Sequence, residues 1–126
     1  MFLEHVNLTV RDLERSIAYY RELLGLSLRW QGTAVSDEGA VRAAHVGDDR
    51  CYLALFEAER PEPVAPDYAR TGLNHFGFVV EDLAATRTRA VALGSVPHFE
   101  PDYEPGPRFY VYDPDGIEVE LVQAPR

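Results

Sequence analysis

At 126 residues and 46% hydrophobic content, the chain is long enough for one domain with a real core, and each half is too short to be comfortable alone. A net charge of −9, from 21 acidic residues against 12 basic ones that are all arginine, repels phosphate backbones and anionic lipid heads. Nucleic acid and membrane are therefore excluded as expected partners, and neutral or cationic small molecules fit better. The single Cys51 excludes an internal disulfide, and the charge at Glu4 with no long apolar run behind Met1 excludes a standard signal peptide and a spanning helix. The expected location is a reducing cytoplasm.

Residues 2–10 are of strand type, and Asp12 then stands where an N-cap belongs. Leu13, Ile17, Tyr20, Leu23 and Leu24 follow at the spacing of one helix face, which Gly25 ends. Residues 26–31, 41–46 and 51–57 read as three further strands, with a turn at Gly47-Asp48-Asp49. The stretch 59–72 carries Pro61, Pro63 and Pro66 among polar residues and reads as a linker, long enough to let modules pair within one chain or swap between two. The plan then repeats: a strand through Val80, Asp82 as cap, Leu83, Ala84, Ala90 and Leu93 on a helix face, and Gly94 as stop. A short strand is expected at 96–100, a bent loop at 101–107, and a strand at 108–113. Asp113-Pro114-Asp115-Gly116 is a tight hairpin turn before the last strand at 117–123.

Leu3, His5, Val10, Asp12 and Leu13 recur as Leu73, His75, Val80, Asp82 and Leu83, 70 residues on. The fold class predicted is α+β: two β-α-β-β-β modules, residues 1–58 and 73–126, related by a pseudo-two-fold within one domain. Such an axis brings His5 and His75 together. Aligning strand 51–57 on strand 117–123 sets Tyr52 opposite Glu118 and Ala54 opposite Glu120, so the expected metal ligands are His5, His75 and Glu120, with Ala54 at the fourth symmetric position. Two imidazoles and one carboxylate suit a borderline divalent ion and leave positions open for water and substrate. The arrangement favours Fe(II), with Mn(II) or Zn(II) as alternatives.

The motifs His5 to Leu13, Ser16 to Gly25, His75, and Phe109 to Glu120 with its Asp-Pro-Asp-Gly turn resemble the vicinal oxygen chelate superfamily. That group includes glyoxalase I, extradiol dioxygenases, methylmalonyl-CoA epimerases, fosfomycin resistance enzymes and bleomycin resistance proteins. The resemblance implies paired modules forming a U-shaped cleft, a metal within it, and a substrate that chelates the metal through neighbouring oxygens. Ala54 stands where glyoxalase I has a fourth, glutamate ligand, which argues against that reaction. Glu100 and Glu104 stand where fosfomycin enzymes carry Lys and Ser, and the chain stops at Arg126 before their C-terminal Arg, so a phosphonate is disfavoured. The resemblance also implies a homodimer.

Further candidates follow from strand alternation. Tyr110 shares a face with Arg108 and Tyr112 and reads as a hydrogen-bond donor or acid, with cleft-wall packing as the bland reading. His98 or Glu100 is the candidate general base, while Asn7 and Arg108 are candidate substrate contacts; His45 has no visible partner. The functional expectation is a metal-dependent dioxygenase or a lyase or isomerase acting on a small oxygenated molecule. The alternatives are a metal-free protein that sequesters a cationic or aromatic drug, as bleomycin resistance proteins do, and a module serving only in assembly.

Overall fold

The computed structural model describes residues 1–65, 67–104 and 106–125; Pro66 of the predicted linker, Pro105 of the predicted loop and the terminal Arg126 lie outside them. The chain divides into two compact units, Met1–Pro63 and Val64–Arg126.

The first unit runs β1(His5–Val10), α1(Leu13–Leu24), β2(Ser27–Ser36), β3(Gly39–Gly47) and β4(Tyr52–Glu57), in sheet order β1-β4-β3-β2. Only the β1-β4 pair is parallel, because α1 is the crossover between β1 and the rest of its sheet. Asp12 caps α1 by accepting from the Arg15 backbone N–H at 3.1 Å, and Gly25 closes it at φ 67°, donating to the Arg21 carbonyl. The predicted helix face is the buried one: Leu13, Ile17, Tyr20 and Leu23 pack on one side of the sheet with Leu53, Leu55 and Val46. Two boundaries differ from expectation. The first strand begins at His5, leaving Met1, Phe2 and Leu3 exposed, and β2 continues to Ser36. That extension is an outer strand with most residues in solvent, so it carries no apolar alternation for a sequence reading to find.

The second unit repeats the plan with β5(His75–Val80), α2(Leu83–Ala92), β6(Asp102–Tyr103), β7(Gly106–Tyr112) and β8(Glu118–Gln123), in order β5-β8-β7-β6. Asp82 accepts from the Ala85 N–H at 2.9 Å, and Gly94 follows the helix at φ 88°. The strand expected at 96–100 is absent: Phe99 makes a single bridge to Tyr110, and the fourth strand is instead β6, inside the segment expected to be a loop. Pro97 and Pro101 explain the shift, since neither can donate to a ladder and together they leave room for one bridge between them.

The hairpin is as expected. Asp113 Oδ1 accepts from the N–H groups of Asp115 and Ile117 at 2.8 and 3.0 Å, and Gly116 turns at φ 84°. Val64 donates to the Asp115 carbonyl at 2.8 Å, and a Cβ on Gly116 would lie 2.4 Å from the Val64 carbonyl oxygen. The second half of the predicted linker is thus stitched to the second unit rather than free. Among the described residues no helix is long and apolar enough to cross a membrane.

Candidate metal centre

β5 and β8 lie side by side in parallel with His75 opposite Glu118 and Gly77 opposite Glu120, so the three polar side chains share the face away from the core. β7 brings Tyr110 opposite Glu120 and Tyr112 opposite Glu118. Glu120 is at the centre of this group. Its Oε2 is 3.1 Å from His75 Nε2, and its Oε1 accepts from Arg108 Nη1 at 2.7 Å. Arg108 is itself held by donating from Nε to the Gly106 carbonyl at 3.1 Å and by lying over the Tyr103 ring. Its buried Nη2 has no hydrogen-bond partner among the described residues. Tyr110, hydrogen-bonded to Tyr103 and Glu120, has its phenol pushed up to about 12, first by burial and then by these neighbours. It is a donor at every physiological pH.

Beside this lies a second pairing. His98 Nε2 is 2.8 Å from Glu118 Oε2, and the His98 ring stacks on Tyr112 with centroids 4.0 Å apart. Burial lowers the His98 pKa and raises that of Glu118, the latter with help from the Glu120 charge. Tyr68, His75, His98, Phe99, Tyr110, Tyr112 and Glu118 line a cavity of about 390 Å³, a volume suited to a small organic molecule.

The first unit presents a different surface at the matching register. His5 stacks on Tyr52 at 5.1 Å, Tyr52 on His45 at 4.4 Å, and His45 on Trp30 at 4.9 Å, with Arg29 over the Tyr52 ring. His45 therefore has partners that the sequence did not reveal. Asn7 donates to the Ala54 carbonyl at 2.9 Å, and Ala54 is buried.

The structure thus gathers His75, His98, Arg108, Tyr110 and Glu120 in the second unit. His5 and Asn7 belong to the first. Glu100 joins neither group: its carboxylate is 2.5 Å from Arg87 Nε on α2, and that guanidinium holds it below the usual carboxylate range. The expectation that Glu100 alternates with His98 into the site fails with the strand it assumed. His75 Nε2 and Glu120 Oε2, one neutral-imidazole donor and one carboxylate oxygen on adjacent strands, form a donor pair that fits a divalent ion.

The family model described as Glyoxalase/Bleomycin resistance protein/Dioxygenase superfamily matches residues 2–121. The chain belongs to this superfamily. Glutathione transferase FosA of Serratia marcescens is 34% identical over 94% of this chain and 78% of its own length. A probable lactoylglutathione lyase of Vibrio cholerae is 29% identical over 94% of this chain and 88% of its own. The glyoxylase/bleomycin resistance protein/dioxygenase domain from Frankia sp. EAN1pec superposes with a TM-score of 0.81 at 26% identity, over 99% of this chain and 98% of that one. The two four-stranded sheets and their helices are therefore the superfamily fold, and the two curated relatives named above bear the names of enzymes.

Within this glyoxalase-superfamily chain two site residues escaped the sequence reading. Glu118 was visible only as half of a Glu-x-Glu alternation, a pattern that usually marks a solvated face, yet its side chain is 4% exposed. Tyr68, whose hydroxyl is 3.2 Å from His75 Nδ1, lies in a proline-rich stretch with no periodicity to place it.

Proposed function

We propose that the chain is a divalent-metal-dependent enzyme acting on a small molecule with neighbouring oxygen atoms. His75 and Glu120 are the ligands from the second unit, and His5 is the third, as the sequence repeat predicts. The observation that supports this reading is the 3.1 Å approach of His75 Nε2 to Glu120 Oε2 while Arg108 occupies the other carboxylate oxygen. Arg108 leaves one oxygen of Glu120 facing the imidazole, and its own buried Nη2 is without a hydrogen-bond partner among the described residues. A divalent ion here would supply Lewis acidity toward a pair of substrate oxygens, and Fe(II), Mn(II) and Zn(II) all accept this donor set.

The chain's own groups divide the remaining work. Tyr110 stays protonated and donates a hydrogen bond to a substrate oxygen. His98 donates a hydrogen bond from Nε2 to the Glu118 carboxylate, which leaves Nδ1 as a lone pair able to accept a proton from substrate, and burial lowers the pKa of the ring. Tyr112 covers one face of that imidazole and fixes its plane. Glu118 also bears on substrate choice. The charge that disfavours a phosphonate is this buried carboxylate in the cavity wall, since Glu100 is neutralised by Arg87. The substrate proposed is a neutral or weakly charged hydroxy-carbonyl, diol or enolate, turned over by a homodimer.

Metal content decides the reading. Protein purified anaerobically without an affinity tag is expected to hold near-stoichiometric Fe, Mn or Zn by mass spectrometry, and His75→Ala to hold none. An unmetallated wild type that also rejects all three ions on reconstitution would sink the proposal and leave a ligand-binding cavity.

A further inference from the structure

We infer that Glu118 is a positioning residue that holds the proton of His75 on Nδ1 and so keeps Nε2 open toward Glu120. The inference rests on the metal reading above and extends it to a residue outside the proposed set of metal ligands. An imidazole that presents a lone pair at Nε2 must carry its hydrogen on Nδ1, and the acceptor at Nδ1 decides how firmly that tautomer and ring orientation are held. Two acceptors stand there. Tyr68 Oη is 3.2 Å away, but that side chain is well exposed and water can replace it. Glu118 Oε1 is 3.5 Å away, buried, and has no hydrogen-bond partner among the described residues, whereas Glu118 Oε2 is fixed by His98 at 2.8 Å.

A buried carboxylate oxygen without a donor is costly, so the arrangement is explained if its donor is the Nδ1–H that appears when His75 Nε2 is engaged. The register supports this. His75 and Glu118 are directly paired residues on neighbouring parallel strands, which fixes their side chains on one face at contact distance.

The first unit shows the same device built from different parts. There Tyr52 takes the place of Glu118 and stacks on His5 rather than accepting from it. A carboxylate nonetheless reaches His5 Nδ1 from the preceding residue, Glu4 Oε1 at 2.9 Å. Both repeated histidines therefore turn Nδ1 to a carboxylate. One carboxylate is buried and the other exposed, and the buried one should act more strongly because less water competes for it.

The test is Mn(II) affinity by electron paramagnetic resonance for wild type, His75→Ala, Glu118→Leu, Glu118→Gln and Glu4→Gln, with ¹⁵N-histidine NMR of the Zn(II)-loaded proteins. Glu118→Leu should weaken Mn(II) binding about 10–100-fold, the range for removing a partner of a metal-ligating histidine. Glu118→Gln, whose amide oxygen still accepts, should recover part of it, and Glu4→Gln should cost less than Glu118→Leu. In wild type the His75 Nδ1–H resonance should be far downfield and slow to exchange; in Glu118→Leu it should move upfield and exchange faster. Glu118→Leu also leaves the His98 Nε2–H without its acceptor, so some fall in melting temperature is expected, and Glu118→Gln, which keeps an acceptor, separates that loss from the loss of affinity.

Affinity within about twofold of wild type, an unmoved Nδ1–H resonance, or a loss of affinity that merely tracks a loss of stability would each overturn the inference. If Glu118→Leu does not fold, Glu118→Gln decides, an unchanged affinity and resonance counting against it. Binding abolished in His75→Ala but intact in Glu118→Leu overturns the Glu118 role alone. A wild type that binds no Mn(II) takes down the metal reading and this inference with it.

Discussion

The two units share a backbone plan and differ at a few paired positions. In the first, Ala43 and Ala54 are buried; the corresponding register in the second is occupied by Arg108 and Glu120, joined at 2.7 Å. His45 in one answers to Tyr110 in the other, and Tyr52 to Glu118. One sheet is thus closed with methyl groups and rings, the other with a buried ion pair and a second carboxylate. A repeat supplies positions, and chemistry arises only where a charge and its partner are introduced on adjacent strands together, since a lone buried charge is prohibitively costly.

The largest expected effect comes from making the second unit resemble the first. Glu120→Ala should destabilise by about 3–5 kcal/mol in urea unfolding, because it strands the Arg108 guanidinium in the interior. Arg108→Ala/Glu120→Ala, which recreates the alanine pair, should cost clearly less than the two single changes added together. Strict additivity would mean that the pair is not coupled, and the contrast between the units would lose its energetic meaning.

That contrast was partly legible in the sequence. Helices, caps, the hairpin and the repeat came through because each rests on local rules: Asp12 and Asp82 cap, Gly25 and Gly116 take positive φ, and apolar residues recur at 3.6. The repeat singled out His75 and Glu120, and the structure sets them on neighbouring strands with Nε2 and Oε2 3.1 Å apart. What did not come through depends on which segments lie beside which. Glu100 reads as a site residue only if 96–100 is a strand, and Arg87, thirteen positions earlier, captures it instead. Glu118 reads as solvated until the 95–104 segment and Tyr68 are seen to cover it. The strand β6 is two residues long and flanked by prolines, below what periodicity can detect.

An intermediate effect concerns pH. The folded Tyr110 phenol ionises near 12, whereas in the unfolded chain it ionises near the ordinary 10.0. A raised folded value contributes stability that is present below the unfolded pKa and lost as pH rises through the folded one, so stability should decline between about pH 10 and 12. Tyr110→Phe should flatten that decline, and in the wild type the phenolate absorbance should show one tyrosine titrating last. An identical alkaline profile in the variant would show that Tyr110 is not the strained group. His45 is the counterpart in the first unit, its pKa lowered chiefly by burial, which acts in the opposite sense and weakens folding as pH falls.

The smallest effect tests where the units should agree. Asp12→Ala and Asp82→Ala each remove one N-cap hydrogen bond, at 3.1 and 2.9 Å, and each should cost about 1 kcal/mol in thermal or urea unfolding. A markedly smaller loss for Asp12 would point to relief of repulsion from its acidic neighbours Glu14 and Glu57.

The stitch between Val64 and the Asp115–Gly116 turn bears on how this chain can be cut and recombined. Residues 64–72 look like spacer in the sequence, yet they are clamped at one end by the hairpin that launches β8 and at the other by the start of β5, and they carry Tyr68 to His75 between the clamps. A chimera that joins second halves from different relatives should therefore be spliced ahead of Val64. A junction placed at residue 73, just ahead of β5, would exchange the rim of the cavity for a foreign one and leave Gly116 shaped around a neighbour that is no longer there.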